Sequence, residues 1–337
     1  MRFIRKTIIV GIVALAGMFL WYKFELRPVE SGSEKRQKVE IAAGSTVSDI
    51  AALLSEKGMI RSSFAFKLYV RMNGREKALQ AGTFLLRPSE SVAEIVEVLR
   101  SGKSEEVSIT IPEGWTLQDI DALFARKGIA ASGSLVSCAT TCDFSSFEFL
   151  PKVTGLAPRG GKLEGYLFPE TYFVSVQDFV PKFFLERMLT TFRKNVLTTY
   201  GEEVTKSGHS LQEIMTMASL IEAETRTDAE RPIVAGILWK RYEEGMGLGV
   251  DATVRYILDK PSDAITVEDL EVKSPYNTRK FKGLPPGAIA NPGISSIVAS
   301  LRPEESPYWF YLHDGKGLIH YAVTNEEHNE NRRKYLQ

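Results

Sequence analysis

Apolar positions along the chain change their pattern several times, and each change marks an element. The opening MRFIRKTIIVGIVALAGMFLWYKF carries an uncharged run at residues 7–22, with Arg2, Arg5 and Lys6 before it and Lys23 after it. A segment apolar all round suits a non-aqueous setting. It predicts a transmembrane helix over residues 1–24, with Trp21 and Tyr22 at the interface and the basic start on the cytoplasmic side. The run is shorter than the ~20 residues that comfortably span a bilayer. A cleaved signal peptide, with Ala14-Leu15-Ala16 as its processing site, and a buried soluble helix are the alternatives. Residues 25–38, ELRPVESGSEKRQK, are polar and rich in breakers, which predicts a linker.

The next pattern occurs twice. VEIAAGSTVSDIAALLSEKGM from Val39 and VSITIPEGWTLQDIDALFARKGI from Val107 each read as a strand, a Gly turn and an amphipathic helix. Gly44, Thr46, Asp49, Ile50, Leu53, Lys57 and Gly58 align with Gly114, Thr116, Asp119, Ile120, Leu123, Lys127 and Gly128. Each threonine is placed to cap its helix with an aspartate at the third helical position, and each late glycine is placed to stop it. A further strand-turn-helix, AGTFLLRPSESVAEIVEVLRSGK, lies between them. Units of this kind resemble LysM modules, which bind glycans. The region 39–104 is therefore either a glycan-binding subdomain or a recurrent structural unit without a ligand.

From about residue 155 the chain turns to aromatics, Pro-Gly loops and longer helices. GHSLQEIMTMASLIEAET opens with Ser210 and Glu213 spaced as a capping box. WFYLHDGKGLIHYAV reads as a hairpin turning through Asp314-Gly315 and Gly317. Helices followed by a late hairpin predict an α+β domain over 105–337. At ~100° per residue, Leu211, Ile214, Met215, Ala218, Ile221 and Thr225 share one face of the helix. Glu222 falls in the middle of that face and Glu224 about 160° away. A carboxyl among Ile, Met and Ala is poorly solvated as an anion, which suits a general acid. The other reading of Glu222 is a structural carboxylate paired with an arginine. Glu224 reads as solvated or supporting.

Composition narrows the function. The 337 residues are 44% hydrophobic and 25% charged, and 42 basic residues balance 42 acidic ones. That balance disfavours nucleic acid as a partner. SGKS at 101–104 lacks the upstream glycine of a phosphate loop, Glu97 standing in its place. Zinc-protease and serine-hydrolase motifs are absent and the four histidines are scattered, so neither a metal nor a cofactor is expected. Cys138 and Cys142 are either a local disulfide or two free thiols.

SLIEAET, GLGVDATVRYIL, SPYNTRKFKGLPPGAIANPG, the stretch from Tyr308 to Leu336 and KLEGYLFPETYFV together resemble the endolytic murein transglycosylases, the YceG-like family. The resemblance implies a membrane-anchored enzyme with its catalytic domain outside the inner membrane. Its substrate would be peptidoglycan glycan strands, and peptidoglycan synthases its partners. The family's catalytic carboxyl falls on Glu222, and cleavage leaves 1,6-anhydro ends, terminating strand growth. Among the other motif residues, Asp251 either serves substrate or caps a helix. Glu164, Tyr166 and Tyr172 line a saccharide groove or, for the tyrosines, pack the core. Tyr276 and Asn277 hold a sugar substituent or form a turn, and Glu224, Asp251 and Glu164 are candidates for a second carboxylate. His320 reads as structural. A scaffold that binds peptidoglycan without cleaving it, and a hydrolytic glycosidase, are the competing functions.

Overall fold

The computed structural model describes residues 2–33, 37–101, 106–152, 161–176, 179–260 and 265–336. These form three two-stranded sheets among more numerous helices, an α+β arrangement. The chain divides into two compact units, residues 1–107 with 173–178, and residues 108–172 with 179–337.

The first unit opens with α1 (Arg2–Glu25), a 24-residue helix. Charges at both ends leave only 16 uncharged residues between them, about 24 Å of helix against a ~30 Å hydrocarbon core. No helix among the described residues is long and apolar enough to cross a membrane, so the expected spanning segment is a helix but not a full span. Beyond it lie β1 (Gln37–Ile41), α2 (Val47–Glu56), α3 (Ser63–Met72), β2 (Gly82–Leu86) and α4 (Val92–Ser101). Strands β1 and β2 pair antiparallel, Val39 opposite Phe84. The amphipathic pattern resolves into one core in which Val39, Ile50, Leu54, Phe66, Phe84 and Leu99 are buried. Thr46 and Asp49 form the reciprocal cap of α2, and Gly58, at φ +66°, stops it. Residues 102–104 of the SGKS stretch lie outside the described residues.

The second echo unit, with β3 (Glu106–Thr110) and α5 (Leu117–Arg126), belongs to the larger body from residue 108 onward and repeats the same cap at Thr116 and Asp119. Helix α6 (Ser134–Thr141) follows, and Cys138 and Cys142 are joined as a disulfide with 4.8 Å between their Cα atoms. Strand β4 (Thr171–Ser175) pairs with β3. Then come α7 (Pro181–Phe192), α8 (Thr198–Lys206), α9 (Leu211–Glu224), α10 (Arg231–Glu243), α11 (Asp251–Leu258), α12 (Val267–Leu270) and α13 (Ile294–Leu301). The hairpin of β5 (Phe310–His313) and β6 (Ile319–Ala322) forms where its turn residues indicate, ahead of α14 (Asn325–Tyr335). Ile214, Met217, Leu220, Val234, Leu238, Val250 and Tyr276 are members of the core around α9.

Candidate active site

Helix α9 starts on the reciprocal Ser210–Glu213 cap, and every residue from Ile214 to Ile221 is buried. A helix buried on all sides belongs to the interior of its domain. Its C-terminal turn therefore delivers Glu222 and Glu224 from the core to the edge of the domain, in two directions.

Glu222 is 10% exposed at its side chain. Its surroundings differ from the apolar face expected, because long-range donors converge on it. Oε2 accepts the Gly293 N–H at 3.0 Å and the Ser296 hydroxyl at 2.7 Å, both from the start of α13. Among the described residues, Oε1 meets only the Arg231 guanidinium, at 3.4 Å. Arg231 also donates through Nε to Ser296 at 2.9 Å and pairs with Asp228. Arg231 is thus the arginine that the structural reading of Glu222 required. One oxygen is saturated by short donors and the other is engaged only by a long contact. Oε1 is consequently the oxygen from which a proton can leave and to which it can return.

Over this carboxyl passes the turn between β3 and α5, which carries Glu113, Gly114 and Trp115. Gly114 adopts φ +76°, and a side chain there would meet the Glu222 Cγ at 3.5 Å. The turn is pinned by Asn291, which is fully buried. The Gly114 N–H donates to the Asn291 carbonyl at 2.8 Å, and the Asn291 N–H and Nδ2 donate to the Trp115 carbonyl, each at 2.9 Å. The same Nδ2 reaches Glu164 Oε1 at 2.9 Å, and Oδ1 accepts the N–H groups of Gly165 and Leu167. Glu164 also accepts the Leu117 N–H at 3.1 Å. Burial pushes its carboxyl up to about 8, against the pull of those donors. Glu113, beside Glu222, is also raised, first by partial burial and then by the Glu222 carboxylate.

Glu224 is not solvated as expected. Its Oε2 accepts the Tyr311 hydroxyl of β5 at 2.9 Å, and burial pushes it up to about 7. Asp251 adds to that rise, while Arg241 and Arg279 oppose it. Asp251 is the first residue of α11 but makes no side-chain cap; it forms an ion pair with Arg279 at a half-exposed position.

The remaining expected residues are placed in the interior, which corrects the groove-lining expectation. Glu164 and Tyr166 are each 3% exposed. Tyr166 packs on Phe149 and Phe192, and Tyr172 packs on Phe184 while its hydroxyl donates to the Phe168 carbonyl. Tyr276 is buried beside Tyr256. Asn277 is buried in its turn, donating to the Leu270 and Val272 carbonyls. Aromatic and amide residues are spent on core and turn because the segments carrying them run inside the domain. His320 stacks on Tyr335 and contacts Asp314, a structural position.

The sequence reading did not single out Glu113, Arg231, Asn291, Gly293 or Ser296. For Glu113 a signal exists: the echo has Ala43 at the matching position, so a carboxylate appears where the first unit has a methyl group. The others are brought in by long-range packing of α10 and α13 against α9.

Residues 39–334 match the YceG-like family. A Bacillus subtilis protein named endolytic murein transglycosylase is 35% identical over 329 residues, 96% of this chain and 91% of its own length. A Streptococcus pneumoniae protein of the same name is 28% identical over 346 residues, and the alignment spans 94% of this chain and 62% of that protein. Among solved structures, a yceG-like protein of Listeria monocytogenes is similar with a TM-score of 0.62 and 34% identity, covering 88% of this chain and 99% of that one.

Proposed function

Because the chain belongs to the YceG-like family, we propose that it is an endolytic murein transglycosylase, with Glu222 as the one residue that both gives and takes the proton. The observation that carries this reading is the asymmetry of the Glu222 carboxyl. Oε2 is held by Gly293 and Ser296, and among the described residues Oε1 meets only Arg231, at 3.4 Å. The substrate is a peptidoglycan glycan strand, cut within its length between MurNAc and GlcNAc.

Protonated at Oε1, Glu222 donates to the glycosidic oxygen, and the bond from that oxygen to the muramyl anomeric carbon breaks. The leaving sugar departs with the proton as its hydroxyl. Glu222, now a carboxylate, removes the proton of the muramyl 6-hydroxyl as that oxygen bonds to the anomeric carbon. The ring closes as a 1,6-anhydro end, no water is consumed, and Glu222 is protonated again. A clamp of fixed donors on the other oxygen keeps the carboxyl in place through both transfers, as preorganised catalysis requires. Cutting a growing strand in this way ends its elongation, which places peptidoglycan synthases among the partners.

We further propose that α1 attaches the enzyme to the membrane, with the domain that carries Glu222 outside the cytoplasm. Leu15, Met18, Phe19, Leu20 and Phe24 are all more than half exposed along the described part of the helix, a pattern that water does not favour.

The test is a digest of purified glycan strands with mass analysis of the new ends. Wild-type protein yields 1,6-anhydro ends without oxygen from labelled water. Glu222→Gln keeps its melting temperature and its binding to strands but loses activity by about 10²–10⁴-fold or more. Reducing ends carrying the label, or an active Glu222→Gln variant, would refute the assignment.

A further inference from the structure

The catalytic reading uses one carboxylate, but two meet at Gly293. Glu222 accepts the Gly293 N–H. On the other side, the position a side chain would take at residue 293 is occupied by the carboxyl of Glu113. Gly293 sits at the N-cap of α13 with φ −74° and ψ 169°, a conformation open to any residue. Helix N-caps favour Ser, Thr, Asn and Asp, and the glycine forgoes that side-chain cap. Backbone geometry therefore gives no reason for glycine here, whereas the approach of Glu113 does.

The approach is built in. Gly114 bends the turn at φ +76°, and Asn291 holds it from both sides through Gly114 and Trp115. Glu113 is an exposed residue whose carboxyl end is turned toward Glu222, Arg231 and Asp228. Among the described residues, no hydrogen bond engages that carboxyl. A structural carboxylate would have donors, as Glu164 and Glu224 have. This one is left free beside the group that handles the proton.

We propose that Glu113 is a second catalytic carboxylate of the same site, facing the anomeric carbon of the bound muramyl unit and stabilising the positive charge that develops there. When the glycosidic bond stretches, the sugar becomes oxocarbenium-like. Glu222 is neutral at that moment because it carries the proton being donated, so a fixed negative charge must come from another group. Glu113 forms no covalent bond and takes no proton; its contribution is electrostatic and is largest in the transition state. The Arg231 guanidinium, which contacts Glu222 and also acts on Glu113, offsets their repulsion in the step where both carry charge. The inference rests on Glu222 being the acid.

The test uses the full chain and purified glycan strands, with Glu113→Gln, Glu113→Asp and Glu222→Gln assayed side by side. Glu113→Gln should lower kcat by about 10²-fold with KM and melting temperature near wild type. Glu113→Asp, which restores the charge, should recover part of that loss. Full turnover by Glu113→Gln beside an inactive Glu222→Gln would overturn the role of Glu113 and leave the acid intact. A parallel fall in activity and melting temperature without recovery by Asp would make Glu113 structural and also overturn it. An active Glu222→Gln would remove the underlying reading first.

Discussion

Glu164 makes a pH-dependent contribution to stability whose sign is opposite to that of an ordinary carboxylate. Burial lifts it from 4.5 to about 8 in the folded protein. Between those values the folded state holds a proton that the unfolded state has released, so raising the pH favours unfolding. The contribution is complete below about 4.5 and is lost as the pH climbs through about 8. With 1.36 kcal/mol per unit, the loss between pH 4 and pH 7 is about 3 kcal/mol. For a body of this size that corresponds to roughly 6–12 °C in Tm. Glu164→Gln removes the titration while keeping an oxygen for the Leu117 and Asn291 donors, both of which reach Oε1. Thermal unfolding of wild type and variant should be followed every half unit from pH 4 to pH 8.5. The wild type should lose stability relative to the variant by about 3 kcal/mol between pH 4 and pH 7 and by about 4 kcal/mol by pH 8.5, whatever the fixed difference at pH 4. Parallel curves would refute the buried, protonated carboxyl. Glu224, at about 7, titrates in the same window in both proteins and cancels from the difference.

Asn291→Ala should destabilise the protein by more than about 3 kcal/mol, since the buried N–H groups of Gly165 and Leu167 lose their acceptor; chemical denaturation measures it. Cys138→Ser with Cys142→Ser should cost about 2 kcal/mol for so short a loop and leave turnover unchanged. Alkylation of the oxidised wild type followed by mass analysis should find both thiols blocked. Asp251→Asn should change stability by less than about 1 kcal/mol, because the partner Arg279 is as exposed as the aspartate. A large loss of Tm would show that Asp251 does more than pair.

Local signals were legible in the chain itself. The caps at Thr46, Thr116 and Ser210 form with their third-position acids, and the hairpin turns at Asp314-Gly315, because each depends on residues within a few positions. The helical wheel was right about the burial of α9 and about Glu222 and Glu224 leaving it in different directions. It failed on the surroundings of Glu222, because a wheel sees only its own helix and the donors come from residues 231, 293 and 296. Tyr166 in the core and Asn277 in a turn were among the open alternatives, but burial of Glu164 was illegible for a related reason. A carboxylate or an amide in a sequence does not announce whether a buried partner waits a hundred residues away, and for Glu164 that partner is Asn291. The expected membrane span at the N-terminus shows the limit of reading charge flanks, since they also shorten the apolar stretch they bracket.

The Asn291 hub has a consequence for the order in which the protein becomes competent. It ties residues 114–117 to 164–167 through a side chain nearly at the end of the domain. Contacts of such separation in sequence close late, because the entropy of a long loop must be met before any contact rewards it. A chain emerging from its N-terminus can complete its first core from residues 39–99 early, but the turn above Glu222 has nothing to hold it until residue 291 arrives. Gly293 and Ser296, the clamp on Glu222, follow within five residues. An incomplete chain therefore has the carboxylate without its donors, and wall-cutting activity appears only once nearly the whole sequence has been made.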